Sequence, residues 1–271
     1  MKKKYNSYNY LEEYLFKVRS KGRYSVTLKE LKAEFDISDK ALHQSIFRLK
    51  LKNNIAQIRR GLYAIIPPEY SSKGMLPLYL FVDDLMKYLD KKYYVSLYSA
   101  AALFGAAHQQ PMEYYVMTQK PALRNINSSK INIAFFVKSN WDEEDIIEKK
   151  TDAGYIKVSS PELTALDLIS YNSKIGGINR LLTIIQELAE EIKPAKLAKT
   201  AKRCKKTADI QRLGYLIDKE LGFDKLAYSL YRVLKERNYF AVPLSVIKKT
   251  STGEANHKWK IMKNIELESD L

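Results

Sequence analysis

The chain has one cysteine, Cys204, so no internal disulfide can form and a secreted disulfide scaffold is excluded. Its three histidines, His43, His108 and His257, have no zinc-ligand spacing. No apolar run approaches the roughly 18 residues needed to cross a bilayer. Met1-Lys2-Lys3-Lys4 begins like a signal peptide, but Tyr5 to Tyr14 supplies no apolar core for one. No GxSxG, P-loop or GxGxxG is present. No helical segment joins a Lys/Arg face to a Trp/Phe/Leu face, which argues against a membrane surface as partner. These absences predict a cytoplasmic protein with no cofactor, no metal and no membrane partner.

Positive charge is abundant. The 271 residues include 46 Lys or Arg against 31 Asp or Glu, a net of +15. The excess is uneven: residues 1–75 carry +9, residues 76–190 carry −2, and residues 191–271 carry +8. A neutral middle between basic ends fits a chain that touches a polyanion with its ends; the plainer alternative is a set of solvated Lys-rich faces. Apolar residues make up 46%, enough for packed cores and too many for wholesale disorder. The length suggests two domains.

The first 70 residues read as an N-terminal winged helix-turn-helix. Leu11, Tyr14, Leu15 and Val18 recur at helical spacing, predicting a helix over Tyr10–Arg19 stopped by Gly22. Thr27 and Glu30 form a capping box for a short helix over Leu28–Phe35. Ser38 is a good N-cap for a third helix, with Asp39 complementing its dipole. Leu42, Ile46 and Leu49 line its inner side, while Lys40, His43, Gln44, Phe47 and Arg48 face outward. Ile55–Ile58 and Leu62–Ile66 read as two strands joined by the basic turn Arg59-Arg60-Gly61, and Pro67-Pro68 ends the second. A helix fits the major groove of DNA, where Gln44 can pair with adenine and Arg48 with guanine or phosphate. Arg59 and Arg60 can reach phosphates or the minor groove. Phe47 is unusual on such a face unless it meets a thymine methyl, and Leu51 points outward as well. The same pattern also serves as a protein-docking module, and His43 as an ordinary surface histidine.

Residues 71–74 mark a boundary, and 75–271 read as a mixed α/β domain with several helices, subdivided near 175–192; the fold class is α+β. Helices are expected over Leu78–Leu89 and Ser99–Phe104, and strands over Tyr114–Met117, Ile131–Val137 and Tyr155–Val158, the second of them central in a sheet. His108 to Pro111 reads as a turn. Ser159 or Ser160 caps the next helix, with Glu162 completing a box. Asp142 to Asp145 suits a solvated helix N-terminus. These carboxylates, with Asp167, suggest a metal-dependent nuclease as an alternative, but Glu162 and Asp167 do not share a helix face. Further on, Lys196, Lys199, Lys202, Arg203 and Lys206 form a basic stripe on a helix beginning at Pro194, either a second phosphate contact or a solvated face. Helices over Ile210–Leu221 and Asp224–Asn238 follow, then strand-like pieces near Val242–Leu244 and His257–Ile261.

In order and spacing the chain resembles the AbiEi-type antitoxins of bacterial type IV toxin–antitoxin systems, which act in phage abortive infection. The resemblance rests on Arg60-Gly61-Leu62-Tyr63-Ala64, Tyr94-Val95-Ser96 with Ser99-Ala100-Ala101, Gly105, Gln110-Pro111, and Val158 to Glu162 with Ala165 to Leu168. Gln211 to Leu216 and Trp259 to Asn264 complete it. It implies an N-terminal domain that binds operator repeats in double-stranded DNA and represses its own promoter. It implies a C-terminal domain that counteracts a nucleotidyltransferase-like toxin without a stable complex, and no catalytic residues. Phe47 and Leu51 depart from the polar residues expected there. Neutralisation of the toxin by direct binding is the other alternative.

Overall fold

The computed structural model describes residues 9–106, 113–247 and 254–267. It is mixed α/β and divides into two compact units. The first comprises Met1–Tyr94, Met112–Ser139 and Glu148–Lys157; the second comprises Val95–Pro111, Asn140–Ile147 and Val158–Leu271. The division therefore does not fall at residues 71–74, because later strands join the N-terminal elements in the first unit. The suggested break near 175–192 lies inside the second unit. His108 to Pro111 lies outside the described residues.

The chain opens with α1 (Tyr10–Arg19), β1 (Ser25–Thr27), α2 (Leu28–Glu34), α3 (Asp39–Leu51), β2 (Ile55–Arg59) and β3 (Leu62–Ile65). Local chemistry sets these boundaries. The Glu30 N–H donates to Thr27 Oγ1 at 3.1 Å, and the Thr27 N–H donates back to Glu30 Oε2 at 2.7 Å. Ser38 caps α3 by accepting the Ala41 N–H at 3.2 Å. The expected helical spacing buries Leu11, Leu15 and Val18 of α1 against Leu42, Ile46 and Leu49 of α3 in one cluster. β1 had no sequence signal, since its three residues run straight into the α2 cap. It pairs with β3, which pairs with β2, giving an antiparallel sheet of order β1-β3-β2.

The segment expected to be one helix over Leu78–Leu89 breaks into a 3₁₀ turn, Leu78–Leu80, and α4 (Val82–Tyr88). Next come β4 (Tyr93–Val95), α5 (Leu97–Leu103), β5 (Tyr114–Thr118), β6 (Ile126–Asn127), β7 (Asn132–Val137), β8 (Ile146–Thr151) and β9 (Gly154–Ser159). The strands form one sheet of order β6-β7-β5-β4-β9-β8. The apolar strand β7 is not central: it lies next to the two-residue edge strand β6. The acidic run does not open a helix. Asp142 caps a 3₁₀ turn, Glu143–Asp145, that leads into β8.

The second unit is largely helical: α6 (Pro161–Tyr171), α7 (Ile178–Leu188), α8 (Pro194–Arg203), α9 (Thr207–Tyr215) and α10 (Asp224–Lys235). Ser160 caps α6 by accepting the Leu163 N–H at 3.2 Å. The box expected between Ser159 and Glu162 does not form. Ser159 Oγ pairs with Thr164 Oγ1 at 2.7 Å, and buried Glu162 accepts the Lys193 N–H at 3.0 Å. After α9 the chain runs through a π-helical turn, Leu216–Glu220. A parallel pair, β10 (Val242–Pro243) and β11 (Ile261–Met262), closes the unit.

Candidate nucleic-acid interface

The outer side of α3 is open. Lys40, His43, Gln44, Phe47 and Arg48 are all exposed, whereas Leu42, Ile46 and Leu49 are buried. Phe47 is 60% and Leu51 69% exposed, so two large apolar groups stand among the polar ones. Polar contacts hold the helix from its flanks. Tyr10 donates its hydroxyl to Ser45 Oγ at 2.9 Å, Lys50 donates to Gln57 Oε1 at 3.2 Å, and Lys52 pairs with Glu12 at 3.1 Å. At its first turn, Lys32 donates to Asp39 at 2.6 Å and holds that carboxyl below its usual range; His43 adds to the effect.

The ribbon tip divides its two arginines. Arg60 is exposed. Its carbonyl accepts the Tyr88 hydroxyl at 3.0 Å, and the same hydroxyl lies 2.8 Å from where a Cβ on Gly61 would sit. The φ of +80° is what holds residue 61 to glycine, since the exposed Tyr88 side chain can turn aside from an added methyl group. Arg59, expected to reach out to phosphate, is turned back instead. Its guanidinium donates to the Arg124 carbonyl and lies 5.6 Å from the centre of the Phe135 ring. Burial lowers its pKa, and among the described residues its Nε has no hydrogen-bond partner.

The second basic stripe is also reduced. Lys196 and Lys199 stay exposed. Lys202 pairs with Glu236 at 3.1 Å. Arg203 pairs with Asp145 at 2.5 Å and Glu144 at 3.1 Å, and buried Asp145 also accepts the Thr200 hydroxyl at 2.6 Å. Lys206 is not on the stripe, because α8 ends at Arg203 and Lys206 sits at the N-cap of α9. Of the stripe, Arg203 is thus spent on the acidic run and Lys202 on Glu236, which leaves Lys196 and Lys199 facing solvent. Among the described residues no three His, Cys, Asp or Glu side chains gather as a metal-binding group.

The model of the AbiEi antitoxin C-terminal domain matches residues 93–219. Those residues carry an AbiEi antitoxin C-terminal domain. The matched stretch begins at β4 and ends within the π-helical turn, leaving α1 to β3 and α10 outside it. The chain is similar in fold to the RV2827C protein from Mycobacterium tuberculosis, with a TM-score of 0.68 and 14% identity over 94% of this chain and 91% of that one. An antigenic nucleotidyltransferase-like protein from Paracoccidioides brasiliensis aligns with a TM-score of only 0.33 and 9% identity, over 58% of this chain and 85% of that one. No curated protein sequence matches.

The residues that carry the family resemblance mostly build the fold. Tyr94 and Ser96 are buried, and Ser160 caps α6. Gln211 donates its amide to the carbonyls of Phe240 at 2.9 Å and Trp259 at 2.8 Å. Arg212 donates to the Pro243 carbonyl at 3.1 Å, and burial, opposed by Asp209, leaves its pKa below the usual value. Gly214 lies under the buried ring of Trp259, where a Cβ would come within 2.0 Å of a ring carbon.

Proposed function

We propose that this antitoxin binds double-stranded DNA at repeated operator sites through a winged helix formed by α1 to β3, and so represses its own promoter. The observation that carries the reading is the open outer side of α3: a 13-residue helix, anchored by one apolar stripe, with Lys40, Gln44 and Arg48 on the opposite side. An α-helix fits the major groove, and its exposed polar side chains can then meet base edges. Gln44 supplies the paired donor and acceptor that adenine matches, and Arg48 meets guanine or phosphate. Lys40 and His43 approach the backbone, and Phe47 can lie against a thymine methyl. Arg60 is the wing cation that meets phosphate. The +9 charge of residues 1–75 supports the same partner. The rest of the chain counteracts a nucleotidyltransferase-like toxin without a stable complex and without turnover of its own.

The test is affinity for the DNA upstream of the antitoxin's own reading frame as salt rises. With six to ten phosphate contacts, affinity should fall about 10³- to 10⁵-fold between 50 and 200 mM. A flat response, or equal affinity for a scrambled duplex, would contradict the reading. Toxin and antitoxin should separate on gel filtration; co-elution would overturn the statement that no stable complex forms.

A further inference from the structure

A second cationic surface lies on α10, outside both the matched domain and the α3 face. Lys225, Tyr228, Arg232 and Lys235 recur at spacings of three, four and three, which places them on one side of a helix. All four are exposed, and Tyr228 is 64% so. The opposite side, with Leu226, Leu230, Val233 and Leu234, is buried. The stripe runs about 15 Å along the helix. Beside it the Tyr231 ring is bracketed by Lys235 Nζ at 5.0 Å and Lys258 Nζ at 5.3 Å.

The nearby acids do not cancel this charge. Glu236 pairs with Lys202, and Asp218 accepts Trp259 Nε1 at 2.7 Å and pairs with Lys258 at 3.0 Å. That leaves Asp224, exposed at the start of the helix. Among the described residues Lys225, Arg232 and Lys235 have no acidic partner.

Cations alone would suit any polyanion. An exposed tyrosine between them points to unstacked bases, because base faces are covered in a duplex and open in a single strand. We propose that Lys225, Tyr228, Arg232 and Lys235 bind single-stranded nucleic acid, the cations holding phosphates and the Tyr228 ring stacking on a base. The proposal is independent of operator binding.

It is tested with the full chain by fluorescence anisotropy, using labelled 20-residue oligouridine, 20-residue oligothymidine and a 20-base-pair duplex of the DNA upstream of its own reading frame. Saturable binding of either single strand at 50 mM salt is expected, and the ratio between them identifies the preferred sugar. Tyr228→Ala should weaken single-strand binding about 5- to 150-fold, while Tyr228→Phe keeps it. Arg232→Ala should reduce the logarithmic salt slope by about 0.7. Duplex affinity should not change in any of these variants, whereas Gln44→Ala should alter duplex binding alone. The proposal is overturned if neither single strand binds, if Tyr228→Ala binds like wild type, or if the loss is equal on duplex. It is also overturned if polyglutamate displaces the oligonucleotide as readily as unlabelled single strand, which would make an acidic protein the better partner.

Discussion

Replacing Arg59 and Arg60 by alanine, one at a time, should separate a structural arginine from a DNA-contacting one. Arg59 would lose a charge-assisted hydrogen bond to the Arg124 carbonyl, worth about 1.5–3 kcal/mol. It would also lose its approach to the Phe135 ring, worth about 0.5–1 kcal/mol. Removal relieves the desolvation of the partnerless Nε, a cost of about 1–3 kcal/mol. The balance is a net destabilisation of about 1 kcal/mol, or about 4 °C in the melting of a unit of this size. Arg60 is exposed, so its loss should leave the stability within about 0.5 kcal/mol of wild type. It should instead lower affinity for operator and random duplex alike, with the logarithmic salt slope falling by about 0.9. The assays are thermal melting by circular dichroism and anisotropy over a salt series. If Arg59→Ala melts like wild type and weakens DNA binding as much as Arg60→Ala, the division of roles is wrong.

Gly214→Ala would drive a methyl group into the Trp259 ring, 2.0 Å from a ring carbon, and should cost about 3 kcal/mol or more; a wild-type urea midpoint would contradict the packing described. Arg203→Ala would leave the buried Asp145 carboxylate with the Thr200 hydroxyl, and because Arg203 is itself 30% exposed the loss should be about 2–3 kcal/mol. Asp145→Asn in the same background should recover part of it, and failure to do so in a double-mutant cycle would show that the two do not act as a pair. For Glu30, burial raises the carboxyl pKa, but the Thr27 N–H, the Arg23 guanidinium and the Thr27 hydroxyl lower it further, so it ends below its ordinary 4.5. A depressed folded value gives stability that is present above the unfolded value and lost as pH falls through the folded one. Wild type should therefore lose more stability than Glu30→Gln as pH drops below about 4.5, measured by denaturant titration at pH 6 and pH 3; parallel losses would contradict the assignment.

What could be read from the sequence was local. The Thr27–Glu30 box and the Ser38 cap join groups three residues apart, and each fixed a helix start. The apolar repeat of α3 by itself separates its inner stripe from its outer one. The corrections at charged side chains are long-range. Arg59 meets Arg124 65 positions on, Arg203 meets Asp145 58 positions back, and Glu162 takes an N–H 31 positions away. A charged residue's partner leaves no trace in its neighbours, so the stripe on α8 and the ribbon tip both looked more open than they are. Short or polar strands escaped for another reason. β1 has three residues, and β8, Ile-Ile-Glu-Lys-Lys-Thr, is largely polar with no buried face to give it a period of two. The α10 stripe was legible, since its 3-4-3 spacing is in the sequence, but only burial of the opposite side gives that spacing meaning.

The most direct test of the central claim, that the outer side of α3 reads base edges, is the ratio of operator to random-duplex affinity in wild type and Gln44→Ala at one fixed salt concentration. If Gln44 pairs with a base, the ratio should fall by about 1–3 kcal/mol, or roughly 5- to 150-fold, while binding to random duplex stays as it was. A ratio that does not move, or a loss shared equally by both DNAs, would contradict the claim.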